Sequence, residues 1–134
     1  MVTDRVGDFI IRLQNAAAIG KAEVTAPYSM HIFSIAKKLK ELGFLTSVEA
    51  QAKGESEVKK NIVVALAYDE RGTAKLRGVK RISKPGRRLY VPHTNAHKVK
   101  GGTGARLISS SAGIISDTEA RKNRTGGENL FEIW

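Results

Sequence analysis

The sequence predicts an α/β protein of the mixed α+β kind, built as two small packed domains. Three observations predict it. The first half switches between apolar residues at helical spacing and short β-branched runs. A Lys84-Pro85-Gly86-Arg87 turn then interrupts the pattern. Beyond it the apolar runs have strand length, with one helix-capping pattern among them. We place the boundary at that turn. Residues 1–83 are expected to form an N-terminal α-β-α-β-β-β domain, and residues 84–134 a C-terminal domain that is mostly β with a short helix. A chain of 134 residues with 41% apolar content can supply both cores.

Val6, Phe9, Ile10, Leu13 and Ala17 recur at helical spacing, so residues 4–18 should be an amphipathic helix. Thr3 can cap it, and Asp4 suits the positive end of its dipole. Lys21 to Pro27 is short, β-branched in part and stopped by proline, which reads as a strand. Ser29 should cap a second helix through Leu42, with Ile32, Ile35, Ala36 and Leu39 as its apolar face and Gly43 as its stop. Phe44–Ala52 and Asn61–Tyr68 read as strands joined by the polar loop KGESEVKK. Ala74 to Ser83 alternates, with Lys75, Arg77 and Arg81 on one face, and reads as a strand with a basic side.

The Lys84–Arg87 stretch fits a type II turn, proline first and glycine second. Strands are then expected at Leu89–Val91, Arg106–Ser110 and Gly113–Ser116. Ser116-Asp117-Thr118-Glu119 is a capping box for a helix to about Asn123. Gly126-Gly127 should end that segment, with Leu130–Trp134 as a last strand.

Charge is the strongest functional signal. Residues 1–70 carry 9 basic and 9 acidic side chains, whereas residues 71–134 carry 14 basic and 4 acidic, which accounts for the whole net charge of +10. From Arg71 to Arg106 there are 11 basic residues and no acid. Such a zone attracts a polyanion, and nucleic acid is the natural one. The competing reading is a solvated basic surface, which has no need to exclude every acid from a stretch so long. The chain has no cysteine, which excludes disulfides and thiolate metal sites and fits a reducing compartment. No apolar run approaches the roughly 18 residues of a membrane span. The opening MVTDRVGDF carries acids and no apolar signal core, so neither secretion nor a membrane partner is expected.

Enzyme constellations do not assemble. His93 and His97 have an H-x3-H spacing but no accompanying acid or helical pattern, so no metal is expected. Gly101-Gly102-Thr103-Gly104 lacks the Lys-Ser/Thr ending of a phosphate loop, so no nucleotide cofactor is expected either. Ser109, Ser110 and Ser111 have no nucleophile elbow around them.

RNA recognition suits these residues better. Phosphate contacts supply affinity without sequence information. Reading a folded RNA needs compact donors and acceptors close to bases and 2′-hydroxyls. The Ser109–Ser111 run, followed by Ala112 and Gly113, makes such a low polar surface. Tyr90 can stack on an unpaired base, core packing being its alternative role. Arg87 and Arg88 are candidates for phosphate. Arg12, Asn15 and Lys21, with Ser29, are weaker candidates for a second RNA contact. A general basic RNA chaperone with no fixed target remains the alternative.

Several stretches together resemble the bacterial small-subunit ribosomal protein S-eight family. They are DRVGDFIIRLQNA, AEVTAPYS with IAKKLKELGFL, KRISKPGRRLY, GTGARLISSSAGIISDTEAR and the closing GGENLFEIW. The resemblance runs from about Thr3 to Trp134. It implies a cytoplasmic, ribosome-bound structural protein that binds the central domain of small-subunit rRNA and helps assemble it beside neighbouring ribosomal proteins. It also implies, as in many bacterial members, repression of translation through the protein's own operon mRNA. By position it assigns RNA contact to Ser109, Ser110, Ser111 and Gly113. The same holds for Lys84, Pro85, Gly86, Arg88 and Tyr90, and for Gly127 and Glu128. Ser110 stands where the family usually has threonine, Met30 and Ile32 where lysines are common, and Gln14 where an arginine is common.

Overall fold

The structure, a computed structural model, describes residues 4–52, 59–84, 86–92 and 104–134. Its elements in chain order are α1 (Arg5–Ile19), β1 (Glu23–Pro27), α2 (Met30–Glu41), β2 (Leu45–Ala52), β3 (Lys59–Leu66), β4 (Val79–Arg81), β5 (Tyr90–Val91), β6 (Ala105–Ser110), β7 (Gly113–Ser116), α3 (Asp117–Asn123) and β8 (Gly127–Ile133). The chain groups into two compact units. One is Phe9–Arg77, and the other joins the start of the chain, through Asp8, to Gly78–Trp134. The mixed α+β class expected from the sequence is what the chain adopts.

In the Phe9–Arg77 unit β3 lies between β1 and β2, both antiparallel to it. The period of two sorts the side chains of β1, with Val24 and Ala26 buried and Glu23, Thr25 and Pro27 exposed. Their partners Val64 and Ile62 are fully buried. Phe9, Ile10, Leu13 and Ala16 of α1 and Ile32, Ile35, Ala36 and Leu39 of α2 complete the buried set. Each fully buried large apolar side chain contributes roughly 1.5–3 kcal/mol. α2 starts where the sequence predicts, with Ser29 Oγ accepting the Ile32 N–H at 3.1 Å. It stops before Gly43, whose φ of +91° a side chain would resist. Of the loop expected between β2 and β3, residues 53–58 lie outside the described residues, and Lys59 and Lys60 already belong to β3.

In the other unit β8 is the organiser. It pairs with β4 on one edge and β6 on the other, β7 follows β6, and β5 also pairs with β8. α3 opens on the predicted capping box, Ser116 Oγ accepting the Glu119 N–H at 3.3 Å. Ala120 packs with Ile108 and Ile115 into a buried cluster. Buried Asp117 accepts from the Arg106 N–H at 3.2 Å and from Arg121 Nη1 at 3.0 Å. Arg106 also pairs with Glu132 at 2.8 Å. Asp4 Oδ1 accepts the Gly7 N–H at 3.1 Å at the start of α1; Thr3, the cap expected from the sequence, lies outside the described residues. The Arg81 guanidinium donates to Asp4 Oδ2 at 2.6 Å and holds that carboxyl below the usual carboxylate range, helped by the Gly7 N–H and opposed by burial.

Two sequence expectations change. The alternating run at 74–83 is a strand only at Val79–Arg81, and it pairs with β8 (Lys80 opposite Glu132) instead of extending the first sheet. Ala74 and Leu76 are buried in irregular backbone, where Ala74 bridges Tyr68 and the Lys75 N–H donates to the Ala67 carbonyl. Gly78 exchanges backbone hydrogen bonds with Trp134, both at 3.0 Å, and must be glycine because the Trp134 ring comes within 2.8 Å of where a Cβ would stand. The last strand begins at Gly127 rather than Leu130, so this glycine continues the sheet instead of ending a segment.

Candidate nucleic-acid interface

The hydroxyl run Ser109–Ser111 crosses the turn of the β6–β7 hairpin. Ser110 faces Gly113, and Ser111 and Ala112 are the two loop residues. Gly113 has φ +104°, which L side chains rarely adopt, so the tight turn needs glycine here. The three hydroxyls then divide their work. Ser110 Oγ accepts the Ala112 N–H at 3.1 Å and donates to the Gly113 carbonyl at 2.9 Å, closing the turn. Neither Ser109 Oγ nor Ser111 Oγ has a partner among the described residues; Ser109 is half-buried and Ser111 exposed.

Strand register brings distant candidates into one row. Tyr90 of β5 is opposite Glu128 of β8, Glu128 is opposite Ser109 of β6, and Ser109 is opposite Ile114 of β7. Directly opposed residues of antiparallel strands project from the same face with Cβ atoms about 5 Å apart. The phenol of Tyr90 is on the surface, 73% exposed, so the core role open to it in the sequence is excluded. Gly127 makes the row possible. A Cβ there would run into the carbonyl oxygen of Ser109 and, at 3.0 Å, the Ile108 side chain.

The basic turn is fastened to the same strand. Lys84 and Arg87 exchange backbone hydrogen bonds, the Lys84 N–H donating at 3.0 Å and the Arg87 N–H at 2.9 Å. Pro85, and with it the turn type, lies outside the described residues, as do His93, His97 and Gly101 to Thr103. Lys84, Gly86, Arg87 and Arg88 are exposed. Beneath them Ser83 is fully buried, a residue the sequence reading passed over. Its N–H donates to the Asn129 carbonyl at 3.1 Å, and its Oγ accepts the Leu89 N–H at 3.2 Å and donates to Glu128 Oε2 at 2.6 Å. Arg88 Nη1 donates to the same Oε2 at 3.1 Å. The only sequence signal for Ser83 was its place directly before the turn.

The weaker candidates lie in the Phe9–Arg77 unit. Arg12, Asn15 and Lys21 line one cleft of about 240 Å³ with Ala16, Ile19, Val24 and Thr25. Arg12 Nη1 donates to the Thr25 carbonyl at 2.9 Å. Ser29 is not in that cleft and its hydroxyl caps α2.

Of the zone between Arg71 and Arg106, Arg81 and Arg106 are engaged in internal ion pairs, Arg88 pairs with Glu128 while staying exposed, and Lys84 and Arg87 face solvent. Among the described residues no group of three His, Cys, Asp or Glu side chains could hold a metal ion, and no helix is long and apolar enough to cross a membrane. Fold and site define a small basic α+β protein whose antiparallel sheet presents a row of hydroxyl, carboxylate and aromatic groups beside a cationic turn.

The family described as ribosomal protein S8 matches residues 4–134. The small ribosomal subunit protein uS8 of Nocardioides sp. is 38% identical over 133 residues, covering 99% of this chain and 98% of the relative. Those of Salinispora arenicola and Nocardia farcinica are each 39% identical with the same coverage. The chain belongs to the ribosomal protein S8 family.

Proposed function

We propose that this chain binds the central domain of small-subunit rRNA directly and helps that domain assemble. Family membership makes it a structural constituent of the small ribosomal subunit and not an enzyme. Its partners are then rRNA and neighbouring small-subunit proteins, and it works on the ribosome in the cytoplasm. The RNA-binding residues are Ser109, Ser111 and Gly113 on the hairpin, Tyr90 and Glu128 beside them, and Lys84, Pro85, Gly86, Arg87 and Arg88 in the turn. Ser110 and Gly127 serve the same surface by closing the hairpin and letting the strands approach. The observation that carries the reading is the Tyr90–Glu128–Ser109 row, whose phenol and serine hydroxyl have no partner among the described residues and which lies beside exposed cations. The cations attract RNA of any sequence. The row selects among shapes by offering hydrogen bonds that only a matching backbone and an unstacked base can complete.

A second RNA contact belongs to the cleft of Arg12, Asn15 and Lys21, with Ser29 near it in sequence. The operon mRNA is a second ligand for the hairpin face if it presents the same fold. The test is competition between a central-domain rRNA fragment and an unrelated hairpin of equal length, at about 0.15 M salt, where long-range attraction is screened. The proposal expects the fragment to win by a factor of at least about 10³, as in specific against non-specific nucleic-acid binding. Equal binding would hand the function to the general-chaperone reading.

A further inference from the structure

The chain leaves the β8 sheet at Ser116, opposite Leu107, and re-enters it at Gly127, against the Ser109 carbonyl. α3 fills the return, so its C-terminal end comes back to the hairpin end of the sheet. It is capped there by Arg124, at φ +53° and ψ +43°, the one non-glycine residue with positive φ among the described residues. A side chain in this left-handed conformation crowds the following carbonyl oxygen, so glycine or asparagine is the favoured residue at such a helix end. Arginine here costs stability, and its side chain calls for a role.

The fold leaves it none. The negative end of α3 is already matched by Arg121 and Lys122 in the last turn. The four acids after residue 70 are engaged elsewhere: Asp117 with Arg121, Glu119 with the Ser116 hydroxyl, Glu128 with Arg88 and Glu132 with Arg106. Arg124 and Lys122 are both exposed, and neither has a side-chain partner among the described residues. Both lie outside the acid-free stretch 71–106, so the charge pattern of the sequence does not single them out.

Resting on the reading that the hairpin face binds RNA, we infer that Arg124, with Lys122 near it, holds a phosphate of the RNA backbone at the rim of that face. Three residues separate Arg124 from Gly127, so its backbone stands within about 11 Å of the start of β8. A guanidinium presents paired donors that match a phosphate and carry no base preference. The chain thus gives up stability at the end of α3 to keep a cation at the edge of the RNA surface.

Stability and binding should then move in opposite directions in one variant. Arg124→Gly removes the backbone strain and the cation together. Its melting temperature should rise by about 2–5 °C. Its affinity for a central-domain rRNA fragment should fall roughly three- to fivefold at about 0.15 M salt, the upper range of an exposed ion pair. The slope of affinity against salt should shrink by about one unit. Arg124→Asn, which tolerates the left-handed region and carries no charge, should lose the same affinity and slope. Arg124→Lys should keep the slope.

A wild type that prefers the fragment over an unrelated hairpin, beside an Arg124→Gly variant of unchanged affinity and slope, would overturn the inference and leave the functional reading standing. A lower melting temperature for Arg124→Gly would make the arginine part of the fold and overturn it too. So would an Arg124→Lys variant whose slope falls as far as that of Arg124→Asn, because charge would then not be what the position supplies. If the wild type shows no preference for the fragment, the functional reading and the inference fall together.

Discussion

Ser83→Ala should be among the most damaging single-atom deletions in this chain. The side chain is fully buried and Oγ has two partners, donating to Glu128 at 2.6 Å and accepting from the Leu89 N–H at 3.2 Å. A hydrogen bond to a carboxylate contributes about 1.5–3 kcal/mol, and an ordinary backbone donor left without its acceptor adds about 1 kcal/mol. The expected loss is therefore roughly 2–4 kcal/mol, far outside the range of about ±0.5 kcal/mol for surface changes. Urea unfolding followed by far-ultraviolet circular dichroism measures it. With a slope of about 2 kcal/mol per molar, the midpoint should fall by roughly 1–2 M at unchanged slope. A double-mutant cycle with Glu128→Gln should show coupling of at least about 0.5 kcal/mol, because the two side chains touch. A loss below about 0.5 kcal/mol for Ser83→Ala would refute the view that this hydroxyl fastens the turn to β8.

The three serines should separate by assay. Ser110→Ala should cost about 0.5–1.5 kcal/mol of stability in urea unfolding, since its hydroxyl closes the hairpin. Ser109→Ala and Ser111→Ala should leave stability within about 0.5 kcal/mol but weaken cognate RNA binding by about 1–3 kcal/mol, read by filter binding. Arg87→Ala should weaken all RNAs alike and reduce the salt slope by about one unit; an unchanged slope would remove Arg87 from the phosphate contacts. Asp4 has a lowered carboxyl pKa through Arg81, so its contribution is complete above the unfolded value of about 4 and is lost as pH falls through the lower folded value. The unfolding curves of wild type and Asp4→Asn should thus differ at neutral pH and converge in acid, and a gap that widens on acidification would contradict the sign.

Periodicity carried most of what the sequence could tell. The buried face of α2 (Ile32, Ile35, Ala36, Leu39) repeats at helical spacing, and local pattern suffices for a helix whose bonds are local. The Ser29 and Ser116 caps were legible for the same reason, each side chain reaching three residues along. Alternation at 74–83 misled because buried Ala74 and Leu76 sit in irregular backbone, and the partner of Val79–Arg81 is a strand some 50 residues on. Ser83 and Glu128 are 45 residues apart, and no local rule joins them. The hydroxyl run was visible as a candidate. Which serine the turn would consume depended on hairpin register, and composition does not encode register.

The most direct test of the account is the affinity of wild type and of a Ser109→Ala/Ser111→Ala double variant for a central-domain rRNA fragment and for a random duplex, at about 0.15 M salt. If the hydroxyl face selects the RNA, the variant loses affinity for the fragment and keeps its affinity for the duplex. Equal losses on both, or none on either, would mean that charge alone binds RNA to this protein.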